Sequence, residues 1–182
     1  MSLFKELAKL EDDPKLHTAR LLVLLRAFAG KNGTDEVAGK TKLVKLDFLL
    51  RYPVYLEQAL MKRNQPIDNL AILEYERRSV ESAMIRYKYG PWDPRYDTFL
   101  NLLIGMGLCE IRKEGRTVYI GLTCKGIQVA DELTRSEEFE ITVNRAHILK
   151  RFFDESGTNL RSFIYETFPE ITSLKSGEKI KI

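Results

Sequence analysis

Residues 95–134 read as a helix, a hairpin and a second helix with almost nothing between them, and no other stretch restricts the possible folds as much. "RYDTFLNLLIGMG" places Phe99, Leu103 and Met106 on one helical stripe, flanked by Leu100, Leu102 and Ile104. It ends at Gly107, the residue type that closes helices in a left-handed conformation. "LCEIR" and "TVYIGL" then flank a short loop containing Gly115. Val118, Ile120 and Leu122 alternate with Thr117, Tyr119 and Gly121, so residues 108–122 are expected to pair as an antiparallel hairpin. Thr123 is placed to cap the next helix, "CKGIQVADEL".

Helices are expected on both sides of this run. Residues 15–29 are apolar nearly all round, with only Arg20 and Arg26 interrupting, as in a helix central to its domain. A second helix is expected from an N-cap at Thr41 to Pro53, with Leu43, Leu46, Phe48 and Leu50 buried and Asp47 and Arg51 at ion-pair spacing. "VYLEQALMKR" continues it beyond the proline as a bent or separate element. A polar loop follows, then a short charged helix or strand around 70–82. Met84 to Tyr89 alternate like a strand, and "GPWDP" reads as a turn around the single tryptophan. Two further helices are expected over 137–153 and 158–168, the second stopped by Pro169, with a frayed end after it. The fold class is therefore mainly α with a small β-hairpin (α+β), a domain over 1–135 carrying a C-terminal helical extension over 136–182.

Composition narrows the functions. The longest run of large apolar residues, Leu21 to Leu25, is far shorter than the roughly 20 residues needed to cross a bilayer. The first residues meet charge at once and lack a secretory core, and Cys109 and Cys124 form neither a disulfide framework nor a paired metal knuckle. A reducing, cytoplasmic location without membrane contact is expected. His17 and His147 have no partner at zinc-ligand spacing, and no phosphate-binding loop, dinucleotide fingerprint or nucleophile elbow is present. Asp47, Glu81 and Asp93 have no fixed spacing that supports acid–base chemistry. No enzyme, cofactor or metal is expected.

The order of helices, hairpin and helix is the winged-helix layout, and "LLIGMGLCEIRKEGRTVYIGLTCKGIQVADEL" resembles the wing half of many bacterial winged-helix proteins. "TKLVKLDFLLRYP", "MIRYKYGPWDPRY" and "GTNLRSFIYETFPEI", in that order, resemble the middle components of bacterial ABC-three-component systems. The resemblance spans roughly residues 41–171 and implies a small adaptor encoded beside an SMC/Rad50-like ABC ATPase, serving in defence against mobile elements. The matching positions are Lys42, Leu43, Lys45, Leu46, Asp47, Arg51, Tyr52 and Pro53, then Met84, Arg86, Tyr87, Gly90, Pro91, Trp92, Asp93 and Arg95.

Two readings of these residues stay open. Asp47, Arg51, Arg86 and Asp93 form internal ion pairs and turn caps, or they join Lys42, Lys45, Tyr87 and Trp92 in a surface for a partner. Trp92 itself either plugs the core, the reading favoured by its place between a strand and a helix, or anchors a partner. A separate DNA footprint is visible. Residues 77–125 carry an excess of four positive charges, more than the +3 of the whole chain. Arg112, Lys113 and Arg116 at the wing tip are candidates for weak phosphate contacts, and Arg95 and Tyr96 open the helix that would meet a groove. The alternative to the adaptor is thus a winged-helix DNA-binding transcriptional regulator, as a homodimer.

Overall fold

The computed structural model of the chain describes residues 13–78, 83–88 and 90–181. It is mainly helical with two small antiparallel sheets. The elements in order are α1 (Pro14–Phe28), β1 (Val37–Ala38), α2 (Lys40–Arg51), α3 (Pro53–Lys62), a 3-10 turn (Glu74–Arg77), β2 (Ile85–Tyr87), β3 (Gly90–Trp92), α4 (Tyr96–Gly105), β4 (Cys109–Glu114), β5 (Thr117–Leu122), α5 (Cys124–Arg135), α6 (Glu140–Phe153), α7 (Gly157–Thr167) and α8 (Pro169–Ser173). No helix among the described residues is long and apolar enough to cross a membrane.

Two helices form the centre. Leu21 to Leu25 on α1 are all buried, and every residue of α2 from Lys42 to Arg51 is buried. α1 packs against α4, α5 and α6, and α2 packs against β3, α6 and α7. A helix enclosed on all sides cannot leave its charged residues in water, so the charges on α1 and α2 must find partners inside the protein.

Local signals account for the ends of most elements. Asp13 caps α1 by accepting from the Lys15 amide at 2.8 Å, with Pro14 in the first turn. The last turn of α4 closes as a Schellman motif. Gly107, at φ 69°, donates to the Ile104 carbonyl and Leu108 donates to that of Leu103, while Leu103 and Leu108 are both buried. β4 and β5 pair over Cys109↔Leu122 to Glu114↔Thr117, the hairpin expected from alternation. The Thr123 hydroxyl accepts from the Gly126 amide at 3.0 Å and donates to the Gly107 carbonyl at 2.6 Å, tying the start of α5 to the end of α4. β1 joins the other edge of β5, giving the order β1-β5-β4.

The structure departs from the sequence reading in four places. α2 starts at Lys40 behind Gly39, whose φ is 95°, so Thr41 lies inside the helix rather than capping it. "GPW" is a strand, not a turn: β3 pairs with β2 from Ile85↔Trp92 to Tyr87↔Gly90. α7 ends before Pro169 as expected, but a further helix, α8, starts there where only a frayed end was expected, because proline is compatible with a first helical turn. The C-terminal end is docked rather than frayed. Ile180 is buried, its amide donates to the Met84 carbonyl at 2.9 Å, and its carbonyl accepts from the Tyr52 hydroxyl at 3.1 Å. Tyr89 and Glu81 lie outside the described residues.

Candidate functional site

Two of the three motifs that carry the family resemblance lie far apart in sequence and meet at α2. Arg51 on α2 donates through Nε to Asp47 Oδ2 at 2.8 Å and through Nη1 to Asp93 Oδ2 at 2.7 Å. Arg20 on α1 reaches the other Asp47 oxygen at 2.9 Å. Arg95 donates to Asp93 from its backbone amide at 2.9 Å and from its guanidinium at 3.0 and 3.1 Å. Asp47 is wholly buried and Asp93 nearly so. Burial alone would raise their pKa values, but the arginine charges and hydrogen bonds hold both carboxyls below the usual range. These carboxylates stay ionised and have no proton to exchange near neutral pH.

His17 closes this network. Its Nδ1 lies 2.8 Å from Arg20 Nη2, and its ring stacks on Phe99 at 4.7 Å. Arg20 is a donor only, so Nδ1 accepts and the proton sits on Nε2. Burial first, and the Arg20 charge second, push the His17 pKa down to about 4. The ion pairs and turn contacts expected for Asp47, Arg51 and Asp93 are internal. Arg86 is half-buried, and its backbone amide donates to the Glu178 carbonyl at 2.8 Å in the docked tail.

The third motif packs on the same helix. A Cβ added at Gly157 would lie 3.3 Å from the Lys42 amide, so this glycine allows α7 to approach the start of α2 closely. Lys42 donates to Asp154 at 2.6 Å, and Lys150 shares that carboxylate at 2.7 Å. Lys45 differs. It is 2% exposed, and its ammonium donates to the Thr41 carbonyl at 3.1 Å. Burial, and then the nearby Arg161 charge, lower its pKa to about 8.

Trp92 is half-buried, packed between the rings of Tyr87 and Tyr96 at 5.9 and 6.0 Å, with the Lys40 ammonium 5.2 Å from its centre. One side joins the core and the other lines an open cleft of about 300 Å³ with Val44, Lys45, Tyr87 and Pro91. Its packing on the core agrees with the core reading in part, since the ring is only half-buried.

The expected DNA residues are dispersed. Tyr96 is wholly buried and belongs to the core, against Trp92 and Phe99, because its ring completes the seam between β3 and α4. Arg95 is directed to Asp93 and lies over the Phe99 ring at 5.4 Å. Arg112 reaches Glu36 at 2.6 Å and Glu114 at 2.7 Å and stacks over Tyr119, so its charge is already balanced. Lys113 and Arg116 are exposed and make no ion pair among the described residues.

Sequence reasoning missed the outward side of α4. Leu102, Ile104 and Met106 are 42, 37 and 47% exposed, and Ile111 on β4 is 49% exposed. Leu102 and Met106 lie four residues apart on one flank of the helix, and Ile104 lies on the other. The buried stripe is narrower than the apolar one, consisting of Tyr96, Phe99, Leu100 and Leu103. The excess of apolar residues on "FLNLLIGMG" was the available signal. No protein-family model, curated protein or solved structure matches the chain.

Proposed function

We propose that the chain is a non-enzymatic adaptor of winged-helix type, the middle component of a three-component system built around an SMC/Rad50-like ABC ATPase and acting in defence against mobile elements. Several features support the winged-helix reading: β1 between the first two helices, the strand order β1-β5-β4, and a hairpin that follows α4 directly. Residues 52–95, with α3 and the β2–β3 hairpin, are an elaboration between α2 and α4.

The single observation that carries the adaptor reading is the exposed apolar surface of α4 and β4. In a DNA-reading winged helix this helix needs polar side chains at the base edges. Here it offers Leu102 and Met106 on one flank and Ile104 on the other, with Ile111 exposed on the strand that follows. Leu102 and Met106, one turn apart, keep two large apolar side chains side by side in water, and adjacent exposed apolar side chains are a feature of protein docking surfaces. The occupant we assign is the ATPase component, since the resemblance supplies that partner. The reading without an enzyme is supported by Asp47 and Asp93, whose oxygens are bound by arginines. The regulator reading draws on Lys113 and Arg116 at the hairpin tip, the place for backbone phosphate contacts.

Co-expression with the ATPase encoded beside this gene separates the two. The Leu102→Glu/Met106→Glu double variant is expected to lose co-purification, and Lys113→Ala/Arg116→Ala to keep it. Retention by the first variant, with steeply salt-dependent DNA binding lost in the second, would replace the adaptor by the regulator.

A further inference from the structure

Among the described residues five lysine or arginine side chains are buried, and four have carboxylates. Arg20 and Arg51 share Asp47, Lys42 has Asp154, and Arg145 has Glu76 at 2.7 Å. Lys45 is the exception: among the described residues no carboxylate pairs with it. An ammonium removed from water keeps its charge at considerable cost unless an anion is near. The Thr41 carbonyl satisfies one of its three donors.

Lys45 lies where two clefts meet. On one side the walls are Val44, Pro91, Tyr87 and Trp92, flat and largely apolar. On the other, a cleft of about 280 Å³ is lined by Thr41, Gly157, Thr158 and Arg161. Among the described residues neither cleft has an acidic side chain in its lining; Lys45 is in both linings and Arg161 in the second, while Lys40, at the edge of the first, is held by Asp97 at 2.6 Å. Thr158 lies in the first turn of α7, an 11-residue helix whose amide dipoles favour an anion there. Gly90, at φ 117°, is in the wall beside the Lys45 stem, with 3.8 Å between the position of an added Cβ and Lys45 Cε.

We propose that this double cleft binds a small anion bearing a planar ring, of the nucleoside-phosphate class, with the ring against Trp92 and Tyr87 and the phosphate between Lys45 and Arg161. An aromatic wall and a cationic pocket side by side are what such a ligand requires, since a ring stacks on any aromatic face and a phosphate takes several charged donors. The site is separate from the exposed surface of α4, and the proposal does not depend on the adaptor reading.

Trp92 is the only tryptophan, so its fluorescence reports on this site without background. The purified full-length chain is titrated with the four ribonucleoside monophosphates, with the four nucleosides, and with inorganic phosphate. Saturable quenching by at least one monophosphate is expected, with its nucleoside at least about tenfold weaker. Lys45→Met and Arg161→Glu are each expected to weaken binding by about tenfold or more. Arg161 is on the surface, so its variant keeps the test informative if Lys45→Met does not fold. A 5′-phosphorylated dinucleotide that binds tighter than the monophosphate identifies a strand end as the source, and equal binding identifies a free nucleotide. The absence of saturable quenching by any monophosphate, equal affinity of nucleosides and monophosphates, or unchanged affinity in Arg161→Glu would overturn the proposal.

Discussion

Asp47 is the residue on which the interior depends, and Asp47→Asn is its most direct perturbation. The substitution keeps the size of the side chain and removes its charge. Three arginines, Arg20, Arg51 and Arg95, and two aspartates, Asp47 and Asp93, make up the network, so a net charge of one becomes two around carboxylates that are buried. The new amide can accept from one arginine through its oxygen, while its NH₂ faces the other as donor against donor. Arg20 and Arg51 are at most 8% exposed, so little of either charge is solvated. Breaking a buried ion pair by removing one partner costs about 3–5 kcal/mol. For a chain of this size, each kcal/mol moves the melting temperature by about 2–4 °C, so a drop of about 6–20 °C is expected. The assay is thermal and urea unfolding of the parent and the variant, with Arg78→Ala as a control. Arg78 pairs with Glu74 at 2.8 Å on the surface, and its loss should cost under about 1 kcal/mol. An Asp47→Asn melt within about 3 °C of the parent would refute the claim that Arg20 and Arg51 depend on the Asp47 charge.

Gly126→Ala should destabilise by about 3 kcal/mol in urea unfolding, because the new Cβ falls 1.8 Å from the Leu108 carbonyl oxygen and α5 must move away from the α4–β4 junction. Gly105→Ala, which meets nothing within 4 Å, should be neutral or stabilising by up to about 1 kcal/mol, and the opposite order would contradict the packing described. His17 gives a pH signature. Its folded pKa of about 4 lies below the unfolded value of 6.5, so its contribution is whole above pH 6.5 and is lost as pH falls toward 4, when the unfolded chain takes up the proton first. Unfolding free energies from urea titrations at pH 7 and 4.5 should differ by about 2–3 kcal/mol in the parent and by clearly less in His17→Gln, and equal differences would remove His17 from the account. Trp92→Ala should cost about 2 kcal/mol, less than the roughly 3–5 of a fully buried aromatic, and an unaltered melt would place that ring wholly outside the core.

Features governed by nearest neighbours were legible in the sequence. The hairpin, the Thr123 cap, the Gly107 closure of α4 and the Asp47–Arg51 pair all depend on residues within a few positions of one another. The rest depends on pairs that spacing does not mark. Arg51 meets Asp93 42 positions away, Arg145 meets Glu76 69 positions away, and Tyr52 holds the chain end 128 positions away. The docked tail looked frayed because its lysines and glutamates are polar, whereas its backbone supplies the contacts through Ile180 and Glu178. One sign was present in α1. Arg20 and Arg26 interrupt an otherwise apolar helix, and each meets an aspartate, Asp47 at 2.9 Å and Asp131 at 2.6 Å. A cation on a helix enclosed by apolar surface requires such a partner, though the sequence does not say which acid supplies it. Of the candidate surface residues, Tyr96 was misplaced because an aromatic at a helix start has the same signature in a groove as in a core.

Hydrogen exchange of this chain, alone and with an SMC/Rad50-like ATPase, the class of partner the proposal assigns, tests the adaptor account most directly. The account predicts slowed exchange in the complex across residues 101–113, which hold Leu102, Ile104, Met106 and Ile111, while α3 and the docked tail keep their free-state rates. A stable complex with residues 101–113 unprotected would contradict the account, as would protection of that segment by duplex DNA but not by the ATPase.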